Sequence, residues 1–181
     1  GAIIEVMERL HIEKADLLGQ SAGAFPVTLA AALKPALFRD LVLVTPAGFI
    51  GRVSFLKMMF HWLTNNAADP LTRPILAKNF GMATAILKNI FSDFRLSCQE
   101  LKIALNFSLD PFISEIRRAG PRVAVLYGEN DTIIPSALLL PRVKQADLIM
   151  PMPGPHGSLV LLPQGTEKVM EIFQTLKNIK K

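Results

Sequence analysis

The sequence predicts an α/β fold: a mostly parallel sheet flanked by helices, with an all-helical insertion in its middle. Three observations lead there. Short apolar runs at residues 41–44 and 122–127 read as strands buried on both faces. They follow or precede helical segments at the spacing of βαβ units, which join parallel strands. Between residues 49 and 120 the strand pattern lapses. There apolar residues recur only at helical spacing, as in Phe55, Met58, Met59 and Trp62, then Leu101, Ile103, Ala104 and Leu105.

Taken in order, the chain opens on an amphipathic helix (Ile3, Ile4, Met7, Leu10) that closes at residues 9–11, where basic groups suit the carbonyl end. Residues 14–19 read as a short buried strand running into a turn. Residues 22–33 are alanine-rich and helical, with Pro26 tolerated in the first turn, and Pro35 ends them. A second strand at 41–44 stops at Thr45-Pro-Ala-Gly48. After the insertion, with breakers at Asp69-Pro70, Gly81 and Asp110-Pro111, a third strand at 122–127 runs into Gly128-Glu-Asn-Asp131. A short helix over 136–144 leads to a fourth strand at 147–152 and the turn Pro153-Gly-Pro-His-Gly157. The last helix starts near Pro163 and carries a stripe at Val169, Ile172, Phe173, Leu176 and Ile179. This organisation divides the chain into a sheet core, 1–48 with 121–181, and an insertion, 49–120. The insertion is too long for a simple loop and too contiguous with the sheet for a separate domain.

Composition narrows the function classes. The chain has 181 residues, half of them hydrophobic, enough for one packed core. Mean hydropathy is +0.34. The longest uncharged run, residues 17–33, is nonetheless broken by Gly19, Gln20, Ser21, Gly23, Pro26 and Thr28, whereas a spanning helix needs about 18 predominantly apolar residues. No transmembrane segment is expected. The net charge of +5 is spread along the chain, with a small knot at Lys177, Lys180 and Lys181, and no basic–aromatic interleaving marks a nucleic-acid surface. The single cysteine, Cys98, excludes an intrachain disulfide. The chain begins without methionine inside a helical pattern, which suggests part of a longer protein whose targeting segment cannot be read.

Three places carry chemistry. The first is the G-x-S-x-G of residues 19–23, set between a strand and a helix. A nucleophile on so tight a turn holds a strained backbone; Gly19 and Gly23 leave room around Gln20 and Ser21, and the Ala22 amide at the helix start can face a developing oxyanion. A serine that merely caps the helix is the competing reading. The second is Asp131, just past a buried strand, where a carboxylate can orient an imidazole. It could equally close an Asx-turn, and Glu129 is a rival carboxylate. The third is His156, alone among three histidines in a loop at a strand's carboxyl end, where active sites of open α/β sheets form. His11 and His61 lie on helical segments and suit capping or packing. The order serine, acid, histidine places each candidate after its own strand, with 110 residues between the first two positions and 25 between the last two. No cluster has metal-ligand spacing, so neither a metal nor another cofactor is expected.

With these motifs in place, the chain resembles the α/β-hydrolase-fold proteins over essentially its whole length. G-Q-S-A-G is similar to their nucleophile elbow, L-V-L-V-T-P-A-G to the next strand, Y-G-E-N-D-T-I-I-P to the acid strand and turn, and P-H-G-S-L-V-L-L-P to the histidine loop. The resemblance implies a sheet of about eight strands, of which four are legible here. The early strands and the loop supplying a second oxyanion amide would lie upstream, and no His-Gly of that type precedes Ser21. It also implies that 49–120 is a lid over a pocket, with Phe49, Phe55, Met59 and Trp62 as candidate lining. Eight of the eleven phenylalanines and the only tryptophan fall in that stretch. A lid so rich in aromatics favours a small-molecule acyl substrate with a lipophilic group, though the same residues would serve to pack the lid helices. The implied activity is ester or related acyl hydrolysis through an acyl-enzyme on Ser21, His156 and Asp131. A thioesterase, acyltransferase, carbon–carbon hydrolase or cofactor-free haloperoxidase on the same residues, or a non-catalytic binding protein, stay open.

Overall fold

A computed structural model of the protein describes residues 1–49, 107–156 and 163–179, together with the single positions 88, 92 and 99. Most of the 49–120 insertion, with Phe55, Met59, His61, Trp62 and Cys98, lies outside the described residues. Among them the elements run α1 (Ala2–Arg9), β1 (Ala15–Gln20), α2 (Ala24–Leu33), β2 (Phe38–Val44), α3 (Asp110–Ala119), β3 (Arg122–Gly128), α4 (Ser136–Val143), β4 (Leu148–Met152) and α5 (Pro163–Asn178), with short 3-10 turns at Ser21–Gly23 and Pro35–Leu37. The four described strands form one sheet in the order β1-β2-β3-β4, every neighbouring pair parallel.

Strand alternation sorts the core into two layers. Leu41 and Leu43 of β2 and Val123 and Val125 of β3 face α1–α4, whose Met7, Phe25, Ile113 and Leu139 complete that layer. Val42, Val44, Ala124 and Leu126 face the other way, onto Ile172 and Leu176 of α5. Burial on both sides explains the continuous apolar runs. Fully burying such a side chain contributes about 1.5–3 kcal/mol, so residues 41–44 make β2 the spine of the sheet.

β2 begins at Phe38, three residues before the sequence reading placed it. Charged residues hid the start. Arg39 is exposed and reaches Asp16 on β1, while Asp40, only 1% exposed, is held by two bonds from Arg122 on β3, Nε–Oδ1 at 2.6 Å and Nη2–Oδ2 at 3.0 Å. The same guanidinium donates from Nη1 to the Leu176 carbonyl near the end of α5, so one side chain ties two strands to a helix. Arg117 on α3 likewise reaches Asp147, which precedes β4. On the far side Lys34 donates to Glu8, and this bond holds the Glu8 carboxylate below its ordinary range. The helix predicted over residues 22–33 starts at Ala24, because Ser21–Gly23 forms a separate 3-10 turn.

Candidate active site

The parallel register brings the carboxyl ends of the strands level. Gln20 pairs with Val44, Val44 with Leu126, and Gly128 with Met152. Ser21, Asp131 and His156 all follow these ends and so share one rim.

Ser21 stands at the junction of β1 and the 3-10 turn with φ +49°, left-handed backbone that costs a non-glycine residue about 1–3 kcal/mol. Its surroundings enforce it. A Cβ at Gly19 would lie 2.4 Å from Val27 Cγ2 and 2.7 Å from the Gly23 carbonyl, so the helix returns over the strand at van der Waals contact. At Gly23, among the described residues, no atom lies within 4 Å of an added Cβ, and φ is −61°, so the close approach that they show is at Gly19. The Ala47 amide, in the turn after β2, donates to the Ser21 carbonyl at 3.0 Å and holds the serine from the other side. Ala22 is exposed at the start of the turn, and Gln20 is half-buried at the end of β1.

Asp131 is 4% exposed and divides its two oxygens. Oδ1 accepts from the amides of Ile133 (2.9 Å) and Ile134 (2.8 Å), while Oδ2 meets His156 Nδ1 at 2.8 Å. The Asx-turn and the imidazole contact, alternatives in the sequence, coexist because a carboxylate has two acceptors. Glu129 is exposed on the same turn, and the histidine contact belongs to Asp131. On the other side of the ring, His156 Nε2 lies 3.0 Å from Ser21 Oγ. The carboxylate can only accept, which assigns the ring proton to Nδ1 and leaves Nε2 to accept from the serine hydroxyl. Serine, imidazole and carboxylate thus form one hydrogen-bonded row. The N-cap positions of the 3-10 turn and of α2 are Gln20 and Gly23, so Ser21 occupies neither.

Other features surround this row. Phe49 has no exposed surface and packs in the core layer. Thr45, after β2, is buried with φ +40° and a hydroxyl that has no partner among the described residues. The sequence reading missed Thr45 and the Ala47 and Ile133–Ile134 amides; only the turn residues at 45–48 and 128–135 hinted at them. Among the described residues no three of His, Cys, Asp or Glu gather to hold a metal, and no helix is long and apolar enough to cross a membrane.

No protein-family model matches the sequence, and neither does any curated protein. Solved structures do match in shape. The chain is similar to 2-hydroxy-6-oxo-6-phenylhexa-2,4-dienoate hydrolase from Rhodococcus sp. strain RHA1, with a TM-score of 0.64 at 17% identity, over 95% of this chain and 68% of that one. It is similar to a carboxylesterase structure from the thaumarchaeon Nitrososphaera gargenis, with a TM-score of 0.56 at 16% identity, over 98% and 71%. A third similarity is to an alpha/beta hydrolase enzyme from a Mar Chica lagoon sediment metagenome, with a TM-score of 0.59 at 14% identity, over 98% and 68%. Four parallel strands between helices, matched end to end by such enzymes, establish that this chain has the α/β-hydrolase fold, in part of its full extent.

Proposed function

We propose that this protein is a serine hydrolase acting on a carboxylic ester or related acyl compound. The observation that supports this reading above others is the row Ser21 Oγ–His156 Nε2, 3.0 Å, and His156 Nδ1–Asp131 Oδ2, 2.8 Å. In the reaction Ser21 Oγ attacks the carbonyl carbon as its proton passes to His156 Nε2. Asp131 steadies the imidazolium from the other side, and the Ala22 amide faces the oxyanion. Return of the proton to the leaving oxygen completes the acyl-enzyme, which water, deprotonated by His156, then hydrolyses.

The substrate carries a lipophilic group, and residues 49–120 serve as the lid above it. Support comes from the ring run Phe25–Phe107–Phe112, with centroids 6.2 and 6.1 Å apart, in which Phe107 keeps 43% of its surface exposed and Phe25 sits four residues from Ser21. A carbon–carbon hydrolase on the same three residues is the second reading, favoured by the likeness to the dienoate hydrolase.

A fluorophosphonate probe tests the nucleophile. The chain should become covalently labelled at Ser21, and Ser21→Ala should abolish the label. Undiminished labelling of that variant would sink the assignment. Esters, thioesters and vinylogous diketones of matched chain length then separate the reaction classes.

A further inference from the structure

Asp131 and His156 sit on two different turns, so their 2.8 Å contact depends on how far apart those turns are held. The β3–β4 pairing ends at Gly128 opposite Met152, yet the two chains stay in contact beyond it. Glu129 N–H donates to the Met152 carbonyl at 2.9 Å, and Asn130 N–H to the Gly154 carbonyl at 3.3 Å. At the base of this junction a Cβ on Gly128 would lie 2.8 Å from the Gly154 oxygen and 3.2 Å from Asp131 Cβ. Neither neighbour can swing aside. One is a backbone atom two residues before His156, and the other is the atom from which the carboxylate projects. Gly128 is not among the residues with positive φ, so it is space, not conformational freedom, that requires glycine here.

We infer that Gly128 is a positioning residue for the Asp131–His156 pair: the missing side chain sets the spacing of the acid and histidine turns and so keeps the carboxylate on Nδ1. One methyl group would wedge the turns apart and push Asp131 away from the ring at once. At 3.2 Å the Asp131 Cβ must give by a few tenths of an ångström, where a full 1 Å misplacement in such a row costs about 10²-fold in rate. The effect on reactivity rests on the serine-hydrolase reading; the effect on the hydrogen bond does not.

The test compares the full chain with Gly128→Ala, Glu129→Pro and Ser21→Ala. Glu129→Pro removes the Glu129–Met152 bond at a turn position that accepts proline and sets the ring Cδ against the Met152 carbonyl, so it presses on the same junction from a second point. Two quantities are read on protein shown to be folded by circular dichroism: the rate of fluorophosphonate labelling, and the downfield proton resonance of the His156 Nδ1–H. In Gly128→Ala the resonance should shift upfield or vanish and labelling should slow by about tenfold; Glu129→Pro should move both the same way by less. A purely structural glycine would lower the melting temperature and leave both readouts unchanged per folded molecule. That result in either folded variant overturns the inference. Failure of both variants to fold also overturns it, since the glycine would then serve stability instead of spacing. If the unaltered chain takes no label, or Ser21→Ala labels equally well, the hydrolase reading fails while the resonance still reports on the turns.

Discussion

Asp131 shows how one side chain can be held by its fold and offered to a reaction simultaneously. Two backbone amides occupy Oδ1, so the carboxylate cannot rotate, and Oδ2 is left for the ring. An asparagine in its place would keep the first arrangement and spoil the second. The amide carbonyl would stay on the Ile133 and Ile134 N–H groups, which turns the NH2 toward His156 Nδ1. The ring proton would move to Nε2, the nitrogen that must accept from Ser21. Asp131→Asn is therefore expected to fold with little change in melting temperature and to label with fluorophosphonate more slowly by on the order of 10⁴-fold. A variant labelling within about tenfold of the original would show that the carboxylate does not govern the tautomer. Ser21 is held in the same over-determined way, by close packing at Gly19 and by the Ala47 amide, which keeps its left-handed backbone in place.

Among the elements, β2 and β3 depend on a charge pair that also carries α5. Asp40 is almost wholly buried, and Arg122 satisfies both of its oxygens while reaching the Leu176 carbonyl near the helix end, which also accepts from the Ile179 N–H. Removing the cation alone leaves a carboxylate in the core, a fault that typically costs about 3–5 kcal/mol. Replacing both charges with apolar groups of similar size is often close to neutral, because the desolvation penalty disappears with them. Arg122→Met should thus destabilise strongly in chemical denaturation, and adding Asp40→Leu should recover most of the loss. A single variant within about 1 kcal/mol of the original would mean that water reaches Asp40. The exposed pairs Arg9–Glu5 and Lys168–Glu171 should count for little by comparison.

For the molecule as a whole, the two faces of the sheet are unequally covered. One is lined by α1–α4; on the other the described cover is α5, over β2, β3 and β4. Leu17 is buried beneath α2, but Leu18, turned to the opposite face, is 47% exposed on β1, which pairs on one side only among the described strands. An apolar face beside an open strand edge favours association. The isolated chain should bind a hydrophobic dye and self-associate with rising concentration, and Leu18→Lys should reduce both. Met170→Lys, on the solvent side of α5, should not. A monodisperse monomer that ignores the dye would count against this picture.

The sites of the strands and helices follow from local physics, and the chain alone determined them: period, proline position, and a serine between glycines at a strand–helix junction are properties of a few consecutive residues. Reading failed where the answer lay far away. Arg39 and Asp40 interrupt the apolar run, and Asp40 finds its partner 82 residues later, so a reading by apolar pattern starts β2 only at residue 41. The motif does not say which of its two glycines is crowded, and among the described residues the close contact is at Gly19. Only tertiary structure decided that Ser21 and His156, 135 residues apart, stand 3.0 Å from each other, and that Asp131 rather than Glu129 meets the ring. Those distances are set by the parallel register and by the contact between two turns, which no short window of sequence contains.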